Sequence, residues 1–243
     1  MHPTHAPTVD AATICLFLDV DGTLIEIADR PDAVVVDDAL IALLDRLHDR
    51  LDGRVALISG RSLDQLDTII GPIARRLTAV GSHGAEIRVP GQPPGIVERP
   101  AVLTDIERAF RSAIADETGC LVETKTLGVA LHYRENPDFA DTAMTLAERY
   151  GAADGLMIQK GKMMVELRTA GHDKGSSIAA LMQQPPFAGH LPVFLGDDVT
   201  DEPGFERCAA FGGFGILVGA PRDTAAAYRI AGVAAVHDWL RAV

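Results

Sequence analysis

Two aspartates, Asp19 and Asp21, follow directly after an apolar run from Ile14 to Leu18. A short, nearly unbroken apolar run is typical of a strand buried on both faces of a parallel sheet. Because side chains alternate along a strand, we expect both carboxylates to point roughly the same way just past its end. Open α/β sheets bind ligands at that carboxyl edge. The two acids repel unless a cation lies between them or one holds a proton, and Mg²⁺ with its oxygen ligands would relieve the repulsion.

Two more segments offer groups that bind phosphate. Ser59 and Gly60 follow a second predicted strand, where a hydroxyl and the N–H groups of the next helix start can contact a phosphoryl oxygen. A Ser-Gly pair is also common in ordinary turns. Lys174 is predicted at a helix N-terminus, where a cation opposes the helix dipole, and this placement favours a ligand role.

A third segment, residues 196–202, reads G-D-D-V-T-D-E and follows another predicted strand. Asp197 and Asp198 lie in the loop itself, and a hard cation is the better explanation for them. Asp201 has a simpler alternative, because acids are also favourable in the first turn of a helix. The segment therefore predicts a second half of a metal site.

The elements that must position these residues alternate between strand and helix. Residues 14–18, 54–58 and 77–80 are predicted strands with amphipathic helices between them, and the alternation resumes after residue 170. This order implies a parallel sheet with right-handed crossovers. Residues 103–169 instead follow the order α-β-β-α-β-β, which predicts a small inserted α+β domain with an antiparallel sheet. We therefore expect a discontinuous core domain, 1–102 and 170–243, and an inserted domain, 103–169.

Several local features are also predicted. Residues 1–11 are expected to be a loose leader, and the segment P-G-Q-P-P-G at 90–95 is expected to form a hairpin tip. Thr104 and Glu107 have the spacing of a capping box. The last strand pair of the insert is expected to turn near Lys160 and Gly161.

Composition excludes several classes of function. The 243 residues carry a net charge of −12, which argues against a nucleic-acid or anionic-membrane surface. The three cysteines form no CxxC pair, so a zinc site or a disulfide framework is not expected. The N-terminus does not read as a secretory signal, and no apolar stretch approaches the length of a membrane span. We expect a cytoplasmic protein with a small-molecule ligand, no nucleic acid and no membrane.

From Asp19 to Thr23 the chain reads D-V-D-G-T, which resembles the first motif of the haloacid dehalogenase-like (HAD) phosphatases. The other segments occur in the order of that family's remaining motifs, with the insert where one class of these enzymes carries a cap. The resemblance implies a Rossmann-like HAD core with a parallel sheet, plus the inserted cap. It also implies that Asp19 is a nucleophile and Asp21 a general acid and base. The second aspartate favours a phosphatase or phosphomutase over an ion pump or a dehalogenase.

Residues 58–61, 81–86 (G-S-H-G-A-E) and 196–202 resemble more narrowly the trehalose-6-phosphate phosphatases. This implies a Mg²⁺-dependent phosphoric monoester hydrolase of trehalose biosynthesis that works through an aspartyl-phosphate. The site residues it implies are Ser59, Gly60 and Lys174 for phosphate; Asp19, Asp21 (through its backbone carbonyl), Asp197, Asp198 and Asp201 for metal; and Arg61, His83, Glu123, Lys125, Arg134, Lys162 and Glu166 for the sugar.

The sugar-binding candidates of the insert have a plainer alternative as solvated charges on an exposed sheet. Against it, Glu123 and Lys125 are evenly spaced on one predicted strand, and so are Lys162 and Glu166 on another, so each pair should share a face.

Three alternatives stay open at this point. Two are phosphatases of the same fold that act on sucrose phosphate or mannosyl-phosphoglycerate. The third is a non-catalytic sugar-phosphate sensor or a domain serving a synthase, and the intact Asp19/Asp21 pair argues against it. The resemblance also implies a partner, a trehalose-6-phosphate synthase of the same pathway.

Overall fold

The structure is a computed structural model that describes residues 4–27, 36–92, 98–153 and 155–243, without the side chain of His83. The chain divides into two compact units, Met1–Gly95 with Asp173–Val243, and Ile96–His172. We describe each unit by itself. Residues 93–95 of the expected hairpin tip lie outside the described residues.

The larger unit contains one eight-stranded sheet with the order β1-β12-β11-β10-β2-β3-β4-β5. All neighbours are parallel except β4 and β5, which are antiparallel. The predicted parallel sheet is therefore confirmed. Its strands are β1 (Thr4–His5), β2 (Ile14–Leu18), β3 (Val55–Ile58), β4 (Thr78–Gly81), β5 (Glu86–Arg88), β10 (Leu191–Gly196), β11 (Phe214–Val218) and β12 (Tyr228–Ile230).

Strand β2 lies in the middle of this sheet and is buried throughout. Leu16 and Leu18 pack into one apolar cluster, whereas Cys15 and Phe17 pack into another. Because alternate side chains enter different clusters, the strand is buried on both faces, as its unbroken apolar run predicted. Asp19 is the first residue after this buried strand, so its carboxylate is placed where burying a charge is costly.

Helices cover the two faces of the large sheet. Leu44 of the first helix and Leu240 of the last belong to the cluster of Leu16, and Ile178 and Phe205 belong to the cluster of Phe17. The helices of this unit are α1 (Asp38–Arg50), α2 (Leu63–Ile70), α5 (Lys174–Leu181), α6 (Glu202–Ala210) and α7 (Val233–Ala242).

The smaller unit contains a four-stranded antiparallel sheet with the order β6-β7-β9-β8. Val129 and Leu167 point into an apolar cluster with Phe110 and Ala143 of two helices. The predicted antiparallel sheet is confirmed, and its other face carries most of the polar side chains. The elements are α3 (Ala101–Ala113), β6 (Leu121–Lys125), β7 (Gly128–His132), α4 (Ala140–Gly151), β8 (Leu156–Gly161) and β9 (Met164–Thr169).

The predicted capping box at Thr104 and Glu107 is wrong. Helix α3 begins three residues earlier, at Ala101, after Pro100. Glu107 instead accepts hydrogen bonds from Arg99 at 2.9 Å and from the hydroxyl of Thr124 at 2.8 Å. Pro100 occupies the N-cap position and gives the first turn no side-chain hydrogen bond, so the helix begins without the cap expected from Thr104.

Two other local predictions need correction. The expected leader contains strand β1, whose Thr4 and His5 pair with Tyr228 and Arg229 of β12. The hairpin between β8 and β9 turns at Lys162 and Met163 rather than at Lys160 and Gly161, because Gly161 is still paired with Met164. A strand of two residues and a two-residue shift in the position of a hairpin turn both leave little signal in hydrophobic periodicity.

Candidate active site

Asp19 is buried immediately after β2, with only 4% of its surface exposed. Its backbone N–H donates to the carbonyl of Leu195, so the sheet ladder continues into this residue. Its Oδ1 lies 2.6 Å from Nζ of Lys174. The structure thus brings together two candidates that are 155 positions apart in the sequence.

Lys174 is the first residue of α5 and is buried. Asp173 caps the helix, because its carboxylate accepts the Ser176 N–H at 2.6 Å while the Ser176 hydroxyl accepts the Asp173 N–H at 3.0 Å. A lysine gains nothing from the dipole at this end of a helix. Its ammonium is held instead by Asp19 and, at 2.5 Å, by Asp201.

Three carboxylates converge here, because Asp19, Asp197 and Asp201 can each place an oxygen within 4.8 Å of the other two. Burial raises the pKa of Asp19 well above its ordinary value, and Asp201 and Asp197 add to this against the opposing effect of Lys174. Burial and the charge of Asp201 likewise raise the pKa of Asp197 to about 6. Burial opposes the charge of Lys174, but Asp19 and Asp201 outweigh it and raise the pKa of the ammonium.

One ammonium cannot neutralise three carboxylates, so two negative charges remain when all are ionised. Carboxylate oxygens are the ligands that hard divalent cations prefer. The pKa values of Asp19 and Asp197 are raised first by burial and then by the neighbouring carboxylates, and a nearby cation would oppose both effects. The donor set therefore fits a divalent cation.

Gly22 explains how Asp197 reaches this position. Its φ is +82°, a region that residues with a Cβ rarely adopt, and a Cβ here would overlap the carboxylate of Asp197. The glycine of the D-x-D-G-T segment thus makes both the turn and the close approach of the acid possible.

Asp198 and Asp21 have other partners, and among the described residues the acidic group contains neither carboxylate. Asp198 is exposed, and its carboxylate accepts the N–H of Val199 at 2.7 Å. It therefore caps the short 3₁₀ turn Val199–Asp201, and its own N–H donates to Asp201 at 2.9 Å. Asp201 is fully buried and bound to Lys174, so its role is not that of an ordinary helix-start acid.

Asp21 is bound by Arg61 in a two-pronged ion pair. Nε of Arg61 lies 2.7 Å from Oδ2 and its terminal nitrogen lies 2.6 Å from Oδ1. The Asp21 side chain keeps 34% of its surface exposed. The two aspartates thus have separate partners, a buried ammonium for Asp19 and a guanidinium for Asp21, which their shared strand end did not predict.

Ser59 is buried at the end of β3, and its Oγ accepts the N–H of Arg61 at 3.1 Å. Gly60 lies between them, in the segment before α2. His83 lies in the 3₁₀ turn Ser82–Gly84, and its side chain is outside the described part.

The smaller unit has its own buried charges. Nζ of Lys125 lies 2.7 Å from Oε2 of Glu166, with side-chain exposures of 8% and 2%. Glu123 lies 2.9 Å from Nε2 of His132. Arg134 is half-buried. Lys162 is exposed in the turn between β8 and β9, so the expected pairing of its face with that of Glu166 along one strand is wrong.

Sequence reasoning missed His132 and Arg168 on this polar face. Arg168 is buried and donates to Gln159 at 2.7 Å and to the carbonyl of His172 at 2.8 Å. An available signal was its even spacing from Glu166 on β9. His132 needed the register, because it reaches Glu123 only through the pairing of β6 with β7.

Comparisons with known proteins identify relatives that span nearly the whole chain. The model of the trehalose-phosphatase family matches residues 17–233. Trehalose-6-phosphate phosphatase of Escherichia coli (strain K12) is 42% identical over 242 residues, covering 99% of this chain and 90% of that protein. A crystal structure of a trehalose-6-phosphate phosphatase related protein is 28% identical, with a TM-score of 0.74, and covers 93% of this chain and 95% of that one. A phosphatase of the haloalkanoate (HAD) superfamily from Bacteroides thetaiotaomicron shares the fold at a TM-score of 0.63, with 14% identity and coverages of 98% and 98%.

The parallel sheet and the separate antiparallel sheet define the fold of the HAD phosphatases. The family whose model matches is more specific than this class, and the match covers most of the chain. The chain belongs to the trehalose-phosphatase family and is an enzyme that hydrolyses phosphoric monoesters. Among the described residues, no helix has the length and apolarity needed to cross a membrane.

Proposed function

We propose that this enzyme hydrolyses trehalose 6-phosphate to trehalose and phosphate through an aspartyl-phosphate on Asp19. The observation that carries the proposal is the group of buried Asp19, Lys174 and Asp201 with half-buried Asp197 at the carboxyl edge of the sheet. Phosphate monoesters resist hydrolysis strongly, and a site for them needs a nucleophile, positive charge and a proton donor. Each of these has a candidate within the larger unit.

In the first step, a carboxylate oxygen of Asp19 forms a bond to phosphorus as the bond from phosphorus to the sugar oxygen breaks. Lys174 holds Oδ1 at 2.6 Å, so the carboxylate has a fixed orientation before substrate arrives. Asp21 gives a proton to the departing sugar oxygen. Trehalose leaves as the neutral alcohol.

In the second step, water attacks phosphorus and the bond to Asp19 breaks. Asp21 takes the proton of that water, which restores its protonated form for the next cycle. Arg61 binds both oxygens of Asp21 as a carboxylate, so one of these two hydrogen bonds has to open when Asp21 takes up the proton, while the other keeps the side chain oriented. Inorganic phosphate leaves and the carboxylate of Asp19 is restored.

The phosphoryl oxygens need partners through both steps. We assign the hydroxyl proton of Ser59 and the N–H of Gly60 to them, together with the ammonium of Lys174. Since Ser59 Oγ already accepts from Arg61, its proton is the group it can direct to an anion.

We further propose that Asp19, Asp197 and Asp201 hold Mg²⁺ with the backbone carbonyl of Asp21, and that Asp198 shapes the loop from behind. When bound, the cation offsets the negative charge of the three carboxylates and of the phosphoryl group. This is consistent with the charge of −12 for the whole chain, which repels anionic substrates at long range.

We assign recognition of the sugar to residues 103–169 as a cap domain, with Glu123, Lys125, Arg134, Lys162 and Glu166 as the polar groups, and to Arg61 and His83 in the core. The polar face of the smaller unit is rich in groups that bond to hydroxyls. We place the enzyme in the cytoplasm, next to a trehalose-6-phosphate synthase in its pathway.

The test is phosphate release from a panel of trehalose 6-phosphate, sucrose 6-phosphate and mannosyl-3-phosphoglycerate, with and without Mg²⁺. We expect the highest kcat/KM for trehalose 6-phosphate, with loss of activity in chelator. Acid quenching should trap phosphate on the wild type and none on Asp19→Asn. Preference for another sugar phosphate would contradict the proposed substrate, and full turnover in chelator would contradict the proposed requirement for Mg²⁺.

A further inference from the structure

The segment Gly81–Glu86 contacts the backbone of Arg61–Leu63, and Arg61 binds Asp21. Glu86 is the first residue of β5 and is paired with Gly81 of β4. Only 6% of its surface is exposed. A buried carboxylate needs hydrogen-bond donors, so the donors that Glu86 contacts indicate its structural role.

Glu86 contacts the segment that carries Arg61. Its Oε2 accepts the N–H of Leu63 at 2.8 Å, the first residue of α2. Two residues earlier, the carbonyl of Arg61 accepts the N–H of Ser82 at 2.7 Å. The residues of the 81–86 segment therefore hold the Arg61–Leu63 backbone at two points.

Gly81 makes this contact possible. A Cβ on Gly81 would lie 2.8 Å from the Leu63 nitrogen, 2.9 Å from the Arg61 oxygen and 3.0 Å from Oε2 of Glu86. The backbone of the Arg61 segment therefore packs directly on the bare backbone of β4. The segment is therefore held by direct backbone packing on Gly81 as well as by the carboxylate of Glu86.

The other end of Arg61 binds both oxygens of Asp21 at 2.6 and 2.7 Å. A two-pronged pair of this kind transmits orientation as well as charge. Arg61 is also fixed at its N–H by Ser59 Oγ. The position of Asp21 thus depends on a backbone segment that Glu86 fixes.

We propose that Glu86 is a positioning residue for the proton transfers of Asp21, acting through the Leu63 N–H and the guanidinium of Arg61. The proposal rests on the proposed function, in which Asp21 is the general acid and base. A simpler role is that Glu86 only stabilises α2, since an acid at a helix N-terminus satisfies a free N–H and the dipole.

The experiment separates the two roles by the leaving group. p-Nitrophenolate departs without a proton, whereas the sugar oxygen of trehalose 6-phosphate needs one. Poor positioning of Asp21 should therefore slow hydrolysis of the aspartyl-phosphate more than its formation from p-nitrophenyl phosphate. Stopped-flow measurements on the full chain with Mg²⁺ should show a burst of about one p-nitrophenolate per Glu86→Ala enzyme, followed by slow turnover.

With trehalose 6-phosphate, we expect Glu86→Ala to lower kcat by about 10- to 100-fold, the scale expected for a displaced catalytic group. Glu86→Gln retains an acceptor for the Leu63 N–H and should restore most of the rate. In the background of Arg61→Ala, the substitution Glu86→Ala should lower kcat no further, because both act through Asp21.

Gln65→Ala is the matched control. Gln65 accepts the Ser62 N–H at 2.9 Å in the capping box of the same helix, so its removal weakens the same end of α2. Both variants should lower the melting temperature, but only Glu86→Ala should show the burst. If Glu86→Ala does not fold, Glu86→Asp takes its place, because it withdraws the carboxylate by one methylene. It should show a burst that wild type lacks, with turnover slower than that of wild type.

Equal effects of Glu86→Ala and Gln65→Ala on both substrates would overturn the proposal and leave a role in stability. Unchanged kinetics in a folded Glu86→Ala enzyme would overturn it too. Wild-type enzyme that releases no phosphate from trehalose 6-phosphate would instead contradict the proposed function and this role together.

Discussion

The two units bury their charges in opposite ways. In the larger unit, three carboxylates lie near a single ammonium, which binds Asp19 and Asp201. The pKa of the third, Asp197, rises to about 6 because burial and Asp201 both oppose its charge. In the smaller unit, Lys125 and Glu166 form a one-to-one pair. An unbalanced group can gain a cation and an anionic reactant, whereas a balanced pair can offer hydrogen bonds to a neutral hydroxyl.

The difference has an energetic consequence. A buried pair that is complete contributes little net stability, but removing one partner leaves a charge that is costly to bury. The acidic group of the larger unit is already incomplete without a cation, so it should destabilise the metal-free protein. Function and stability are therefore in conflict in one unit and not in the other.

The largest effect is expected for Asp19→Asn in the unbalanced group of the larger unit. An amide cannot replace the carboxylate as nucleophile, so we expect kcat to fall by at least about 10⁴-fold. Phosphate release measures this, and thermal unfolding should show an intact fold. Asp238→Asn, an exposed aspartate of the same unit, is the control and should keep its rate. Substantial turnover by Asp19→Asn would mean that another residue is the nucleophile.

The balanced pair of the smaller unit can be broken by Lys125→Met. Glu166 would then be buried without its partner, at a cost of about 3–5 kcal/mol in the free energy of unfolding. The double variant Lys125→Met/Glu166→Leu should recover most of that loss in denaturant titrations. Both should lose selectivity for trehalose 6-phosphate. A single variant as stable as wild type would show that the pair is not effectively desolvated.

The unbalanced group predicts a pH dependence of stability in metal-free buffer. Because the pKa of Asp197 is about 6 in the folded chain, the folded state binds more protons than the unfolded state between about pH 4 and pH 6. The free energy of unfolding should therefore fall as pH rises through this window, by about 1–3 kcal/mol. Asp197→Asn should flatten this slope.

Mg²⁺ provides the check on that prediction. A cation that binds the folded state should raise the melting temperature of wild type above pH 6, and much less that of Asp197→Asn. Equal stabilisation of both proteins would place the cation elsewhere.

The smallest expected effect concerns Lys162, which is exposed and free of the folding cost that accompanies Glu166. Lys162→Ala should lower kcat/KM for trehalose 6-phosphate by about tenfold through lost hydrogen bonding and leave p-nitrophenyl phosphate almost unchanged. Lys160→Ala, an exposed lysine on β8, is the control. Equal losses on both substrates would assign Lys162 to structure or chemistry rather than to the sugar.

Much of this molecule follows from local sequence. The apolar run Ile14–Leu18 determined a buried central strand, and Asp19 had to follow it. The change from β-α alternation to α-β-β-α-β-β determined a second sheet of another kind. Both inferences depend on side-chain periodicity, which is a property of neighbouring residues.

Only the tertiary structure decided which charges meet. Asp201 joins Lys174 and Asp19, while Asp198, three positions away, caps a turn, because short loops orient adjacent side chains in unrelated directions. Glu86 reaches Leu63 through the pairing of β4 with β5, and His132 reaches Glu123 through the pairing of β6 with β7. Such contacts depend on sheet register, and register is set by the packing of the whole domain rather than by the residues that it brings together.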